Sequence, residues 1–176
     1  GSCVTPDVGS IIITEIMIDP TVVFDTAGEW FEVYNTASYP IDLRTWEIKD
    51  LGTNTHVITY DTPVLVPPGG YRVLGNQRNP SFNGGVTEVY QYSGILMANT
   101  PSPGADELLL RIGATVIDQV ADWVTADVSA GRSRQLTATA LTAAANDLDA
   151  NWCSSSTLMT NGVDYGTPGA ANITCP

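Results

Sequence analysis

A chain of 176 residues with 43% apolar and 15% charged side chains can build one core and lacks the charge-rich composition of a disordered segment. Seven Lys and Arg against nineteen Asp and Glu leave a net charge of −12, and the field of such a chain repels phosphate backbones and anionic lipid. The cations are scattered and form no basic stripe, which excludes direct nucleic-acid binding, and no window approaches the ~20 apolar residues of a membrane span, which excludes insertion.

Residues 1–9 form an N-terminal segment whose Gly1-Ser2 reads as a cloning scar, and 10–176 read as one domain. The β-branched run IIITEIMI at 11–18 predicts the first strand, stopped by Asp19-Pro20. A loop follows at 19–29. WFEVYN at 30–35 alternates, with Phe31 and Val33 on one face and Trp30, Glu32 and Tyr34 on the other; two aromatics there imply a second face that is also partly covered. Ile41 and Leu43 lead into TWEIKD at 45–50, with Trp46 a core residue, and HVITY at 56–60 is the next strand.

VLVPPGGYRVLG at 64–75 places Pro67-Pro68-Gly69-Gly70 between two apolar runs and reads as a hairpin-like connection. Past a loop at 76–85, VTEVYQY at 86–92 is a candidate strand; another loop at 98–106 precedes ELLLRI and TVIDQV, the clearest hairpin in the chain. GRSRQL at 131–136 reads as the last strand, and the alanine-rich 137–148 as a short helix or a loop with a turn or two. Around eight short strands with few helical patterns predict an all-β sandwich or barrel.

Cys153 and Cys175 bracket a poorly patterned terminal stretch and are expected to form a disulfide. Cys3 competing with Cys153 for Cys175, and three free thiols, are the alternatives.

In chain order, ITEIMIDP, GEWFEVYN, PIDLRTWEIKD, LVPPGGYRVL, DELLLRIGATVIDQVAD and GTPGAAN resemble the bacterial form of the lamin-tail domain over roughly residues 10–172. The resemblance implies an immunoglobulin-like β-sandwich, here with long loops and a C-terminal extension, and no catalytic site. Such domains serve nuclear filament tails and, in bacteria, accessory roles in secreted or surface proteins. The WC…GTPGAAN…C arrangement is similar to exported members, which implies an extracellular, cell-surface or periplasmic home. Eukaryotic tails are compact and basic, so filament or chromatin roles do not transfer to this acidic chain.

His56 is the only histidine and reads as a surface residue. No G-x-S-x-G elbow is present, and neither Gly69-Gly70 nor Gly84-Gly85 is followed by the lysine of a phosphate loop. One His and three dispersed Cys do not make a zinc site. Asp19, Asp25 and Glu29 in the first loop, with Glu15 and Glu32 on flanking strands, are the candidate ligands for one calcium ion; the alternative is a solvated acidic loop whose Asp25 caps a turn. Asp118, Asp122 and Asp127 lose fixed geometry past Val120, and Asn146, Asp147, Asp149 and Asn151 read as a solvated polar loop. Tyr90 and Tyr92 share one face and are the candidates for stacking on a sugar, against packing beneath loops. Asn172-Ile173-Thr174 is a glycosylation sequon by pattern alone.

The resulting expectation is a non-catalytic structural or interaction module, an accessory or tethering domain of a larger exported or surface protein. Its partners would be a protein, an envelope component or other domains of its parent. The alternative is a calcium-stiffened carbohydrate-binding module.

Overall fold

A computed structural model describes residues 6–50, 52–95, 97–101 and 106–176, and the side chains of 121 and 122 lie outside that description, as does Cys3. Among the described residues, twelve strands run in chain order: β1 (Ile11–Met17), β2 (Trp30–Asn35), β3 (Ile41–Asp42), β4 (Glu47–Lys49), β5 (Thr55–Val57), β6 (Leu65–Val66), β7 (Tyr71–Gly75), β8 (Tyr90–Gln91), β9 (Asp106–Ile112), β10 (Thr115–Trp123), β11 (Arg134–Leu136) and β12 (Trp152–Ser154). Two single turns of helix, α1 (Asp25–Gly28) and α2 (Ala143–Asn146), interrupt them. The expected count was about eight. The additional strands are two or three residues long, too short for side-chain alternation to reveal them.

The chain folds as an immunoglobulin-like all-β sandwich. One sheet has the order β12-β11-β1-β2-β7-β8, the facing one β10-β9-β4-β5, and β3 pairs with β6 at the side. The β9–β10 hairpin forms as expected around Gly113-Ala114, where Gly113 takes a φ of 56° that suits a residue without Cβ. The reversal at 67–70 also occurs, but its flanking strands do not pair with each other: β6 joins β3 and β7 joins β2. A tight turn specifies a change of direction; which neighbour each strand then finds is a tertiary matter.

Three further expectations change. Only Tyr90–Gln91 of the segment 86–92 is a strand, running parallel to β7. The strand expected at 131–136 is confined to 134–136 and is not the last, because β12 adds to its edge. Within 137–148 only 143–146 is helical, capped where the Thr142 hydroxyl accepts from Ala145 N–H at 3.2 Å.

β1 is buried at all seven positions, so both of its faces are covered. A bulge at Thr14 separates the pair Ile13–Val33 from the pair Glu15–Glu32 and swaps which face each later residue of β1 takes. Ile13 and Ile16 therefore both join the main core with Phe31, Val33, Trp46, Leu110 and Trp123. Glu15 and Met17 turn to the outer face. There Met17, Trp30, Val73, Val86 and Met159 form a second cluster, which accounts for the second covered face expected of 30–35.

What covers the outer face is the C-terminal extension. Asn172 Nδ2 donates to the carbonyls of Thr14 at 2.7 Å and Leu136 at 2.9 Å. Gly169 N–H donates to Glu32 at 2.7 Å and Thr167 N–H to Glu15 at 2.8 Å, while the Thr14 hydroxyl donates to Glu32. The Cys153–Cys175 disulfide joins β12 to the end of the extension, with the two Cα atoms 5.8 Å apart. Asn172 is buried and both of its amide bonds serve the backbone, so the sequon pattern does not describe an accessible acceptor.

Candidate functional site

The first loop, 18–29, does not lie free in solvent. Asp164 of the C-terminal extension anchors its start, accepting from the backbone N–H of Thr21 at 3.0 Å and Val22 at 3.3 Å and from the Thr21 hydroxyl. α1 then forms one turn, in which Gly28 packs where a Cβ would lie 2.6 Å from Val23 and 2.7 Å from Pro20. Asn76 holds its far end: its side-chain amide donates to Glu29 at 2.9 Å and to the Asp25 carbonyl at 3.3 Å. Asn99 donates to the Asp25 carboxylate at 3.0 Å.

The three acids named for calcium thus meet different fates. Glu29 is buried, and desolvation, opposed by the Asn76 hydrogen bond and reinforced by Asp25 and Asp106, pushes its carboxyl up to about 8. It is a neutral acid at neutral pH. Asp25 is the first residue of α1 rather than its cap, and its carboxylate is engaged by Asn99. Burial, then Asp25 and Asp164, raise the carboxyl of Asp19. Among the described residues no three His, Cys, Asp or Glu side chains gather to hold a metal ion.

Tyr90 and Tyr92 are 4% and 1% exposed and belong to the main core, so neither presents a ring face to a sugar. β8 adds to the larger sheet beside β7, and the two rings, two positions apart on one face, both turn inward, Tyr92 lying 5.6 Å from Phe31. The Tyr90 hydroxyl is taken up by Thr59 N–H at 3.0 Å and by His56 Nε2 at 2.8 Å. His56 is therefore a packing residue of this cluster rather than a free surface histidine, and burial lowers its affinity for a proton. All four tryptophans are buried as well.

Asp118 and Asp127 serve the fold. Asp118 accepts from Ile13 N–H and from Asn146 Nδ2, both at 2.7 Å, and so joins β10 to β1. Asn146 also donates to the Ile13 carbonyl and is buried, so it departs from the solvated loop expected there, whereas Asp147 and Asp149 are exposed as expected, Asp149 pairing with Arg134 at the surface. Asp127 closes a turn on Val124 N–H. Of Asp122 only the backbone is described.

Sequence reasoning missed Glu88. It is 4% exposed, accepts from Asn83 Nδ2 at 3.2 Å through one oxygen, has no partner for the other, and is pushed up to about 8 by burial. No periodicity marks it, because 86–89 is loop; only an acid flanked by apolar residues hinted at burial.

Three of the clefts among the described residues bear on function. The largest, about 780 Å³, lies between Tyr39, Trp46, Ile58, Tyr60 and Ile112. Its ionised groups, Asp42 and Arg44, are paired at 2.7 Å, and Asp42 also accepts from Arg44 and Val64 N–H. That carboxyl is held below the usual range by these bonds against the opposing effect of burial, a setting unsuited to a general acid or base near neutrality. The other two clefts flank α1. One, about 470 Å³, is bordered by Asp25, Glu29, Asn76 and Tyr92; the other, about 510 Å³, by Val22, Phe24, Asp25 and Phe82.

The Lamin Tail Domain family model matches residues 5–125, more than half of the chain, from the N-terminal segment through β10. No curated protein matches it.

Proposed function

The chain belongs to the lamin tail domain family, and we propose that it serves as a non-catalytic accessory or tethering module of a larger exported or surface protein. The observation that carries this reading is the fate of its carboxyls. Glu15, Glu29, Glu32, Glu88 and Asp118 are all buried, and each is either spent on backbone and amide donors or held neutral by burial. The largest of the three clefts has one ion pair, the hydroxyl residues Thr45, Thr59, Tyr39 and Tyr60, and otherwise apolar walls. Such a surface suits binding a partner, and hydroxyls that meet a carboxylate, such as Thr14 on Glu32 and Ser133 on Glu15, are buried inside the fold.

The Cys153–Cys175 disulfide supports an oxidising compartment outside the cytoplasm. Protein partners, whether separate chains, envelope components or neighbouring domains, suit an acidic surface better than nucleic acid or anionic lipid. The calcium-stiffened, sugar-binding alternative gains no observation, since its aromatic residues are inside the core.

The test is turnover by the purified domain on phosphomonoester, phosphodiester, glycoside and ester substrates across pH 4–9. The expected result is no rate above buffer. A rate that follows the protein through purification and falls in a variant of any buried carboxyl would overturn the assignment.

A further inference from the structure

Phe24 is 88% exposed and Phe82 62% exposed, although the third phenylalanine, Phe31, is fully buried. Both border the apolar cleft on one side of α1, together with the partly exposed Val22. Displaying two phenylalanines on neighbouring loops leaves apolar area in water that a contact would bury.

The cleft on the other side of α1 is of opposite character. Asp25 and Thr26 border both clefts, so the two are contiguous. Its walls carry Glu29 and Asp25, and none of the ion pairs among the described residues involves Asp19, Asp25 or Glu29. The Tyr92 hydroxyl, on this wall, is buried without a hydrogen-bond partner. An oxygen-lined, acid-walled recess without a cation beside an apolar one fits a segment that carries both an apolar side chain and an ammonium or guanidinium group.

We propose that the two clefts around α1 are a docking surface for a protein segment that seats an aromatic or aliphatic side chain between Phe24 and Phe82 and a Lys or Arg against Asp25 and Glu29. This rests on the reading of the chain as an interaction module. A second copy of the chain is the poorer occupant, because a twofold contact here would set Asp19 and Asp25 against their own copies in a molecule of charge −12. An entering ammonium would also ionise Glu29, whose carboxyl burial otherwise keeps protonated near neutrality.

The experiment is selection of a displayed random peptide library on the disulfide-bonded domain, followed by calorimetry of the enriched peptides. The expected peptides combine an apolar residue with Lys or Arg. Their affinity falls about tenfold or more in Phe24→Ser and in Phe82→Ser, changes at positions exposed enough to leave folding intact. Binding at pH 7 releases protons in the wild type and not in Glu29→Gln, read from the dependence of heat on buffer. No enrichment, or enrichment of acidic peptides, overturns the proposal. Enriched peptides whose binding ignores both Phe variants overturn this surface while leaving the interaction module in place. A dimer at high concentration that Phe24→Ser abolishes replaces the partner segment with a second copy and overturns it as well.

Discussion

Glu88 offers a direct measurement of what a buried, unpaired carboxyl does to this fold. Its pKa rises from 4.5 to about 8 because burial disfavours the charged form and Asn83 compensates only in part. The folded state therefore holds the proton more tightly than the unfolded chain, so the stability linked to this group is fully present below pH 4.5 and is lost as pH rises through 8. At about 1.4 kcal/mol per pH unit, the loss is near zero at pH 4, about 2 kcal/mol at pH 6 and about 4 kcal/mol at pH 8. Glu88→Gln removes the titration and keeps an oxygen for Asn83, while its NH₂ takes the place of an oxygen that has no partner. Any fixed cost of that NH₂ is the same at every pH. Urea denaturation of both proteins at pH 4, 6 and 8 should show the variant gaining on the wild type by about 4 kcal/mol over the range, with equal m-values. A stability difference that does not change with pH would refute the reasoning, because it would place the Glu88 carboxyl in water.

The wild type as a whole should be more stable at pH 5 than at pH 8, since Glu15, Glu29, Glu32, Glu88 and Asp118 all have raised folded-state pKa values and all lose stability in the rising direction. A denaturation midpoint that is flat or higher at pH 8 would contradict this. Cys153→Ser with Cys175→Ser opens a loop with a sequence separation of 22 and should lower stability by about 3 kcal/mol, which the difference between reduced and oxidised melts of the wild type should match. Thr45 is exposed and β-branched yet sits at a φ of 70°, so Thr45→Gly should raise stability by about 0.5–1 kcal/mol, the strain relieved exceeding the added chain entropy; a lower melting temperature would show that the conformation is unstrained.

The inner faces of the sandwich were readable because alternation and β-branching reflect burial directly. IIITEIM, WFEVYN and the pair around Gly113-Ala114 form strands where expected, and Trp46 is in the core. The disulfide was the favoured pairing of the cysteines and forms. The candidate site was less legible. Asp19, Asp25 and Glu29 looked like one acidic loop, but a carboxyl's chemistry depends on what covers it, and Glu29 is covered by Asn76 and Tyr92, residues 47 and more positions away along the chain. For Tyr90 and Tyr92, sugar stacking and packing beneath loops were both open, with packing the favoured reading, and both rings are packed. The neighbour beside which they pack, β7 in a parallel pairing, is encoded in no local pattern.

The sequence by itself determined an acidic, all-β chain with scattered cations and no long apolar span, and it favoured the Cys153–Cys175 pairing over the alternatives. Composition, residue period and turn chemistry are local quantities, and they suffice for that. Only the tertiary structure decided which β-strands meet across the 67–70 reversal, that a bulge at Thr14 turns Glu15 outward, and that the C-terminal extension buries it there with Glu32. Those outcomes, like the exposure of Phe24 and Phe82 around α1, depend on contacts between distant segments, and burial, which sets both charge state and availability, exists only once those segments have met.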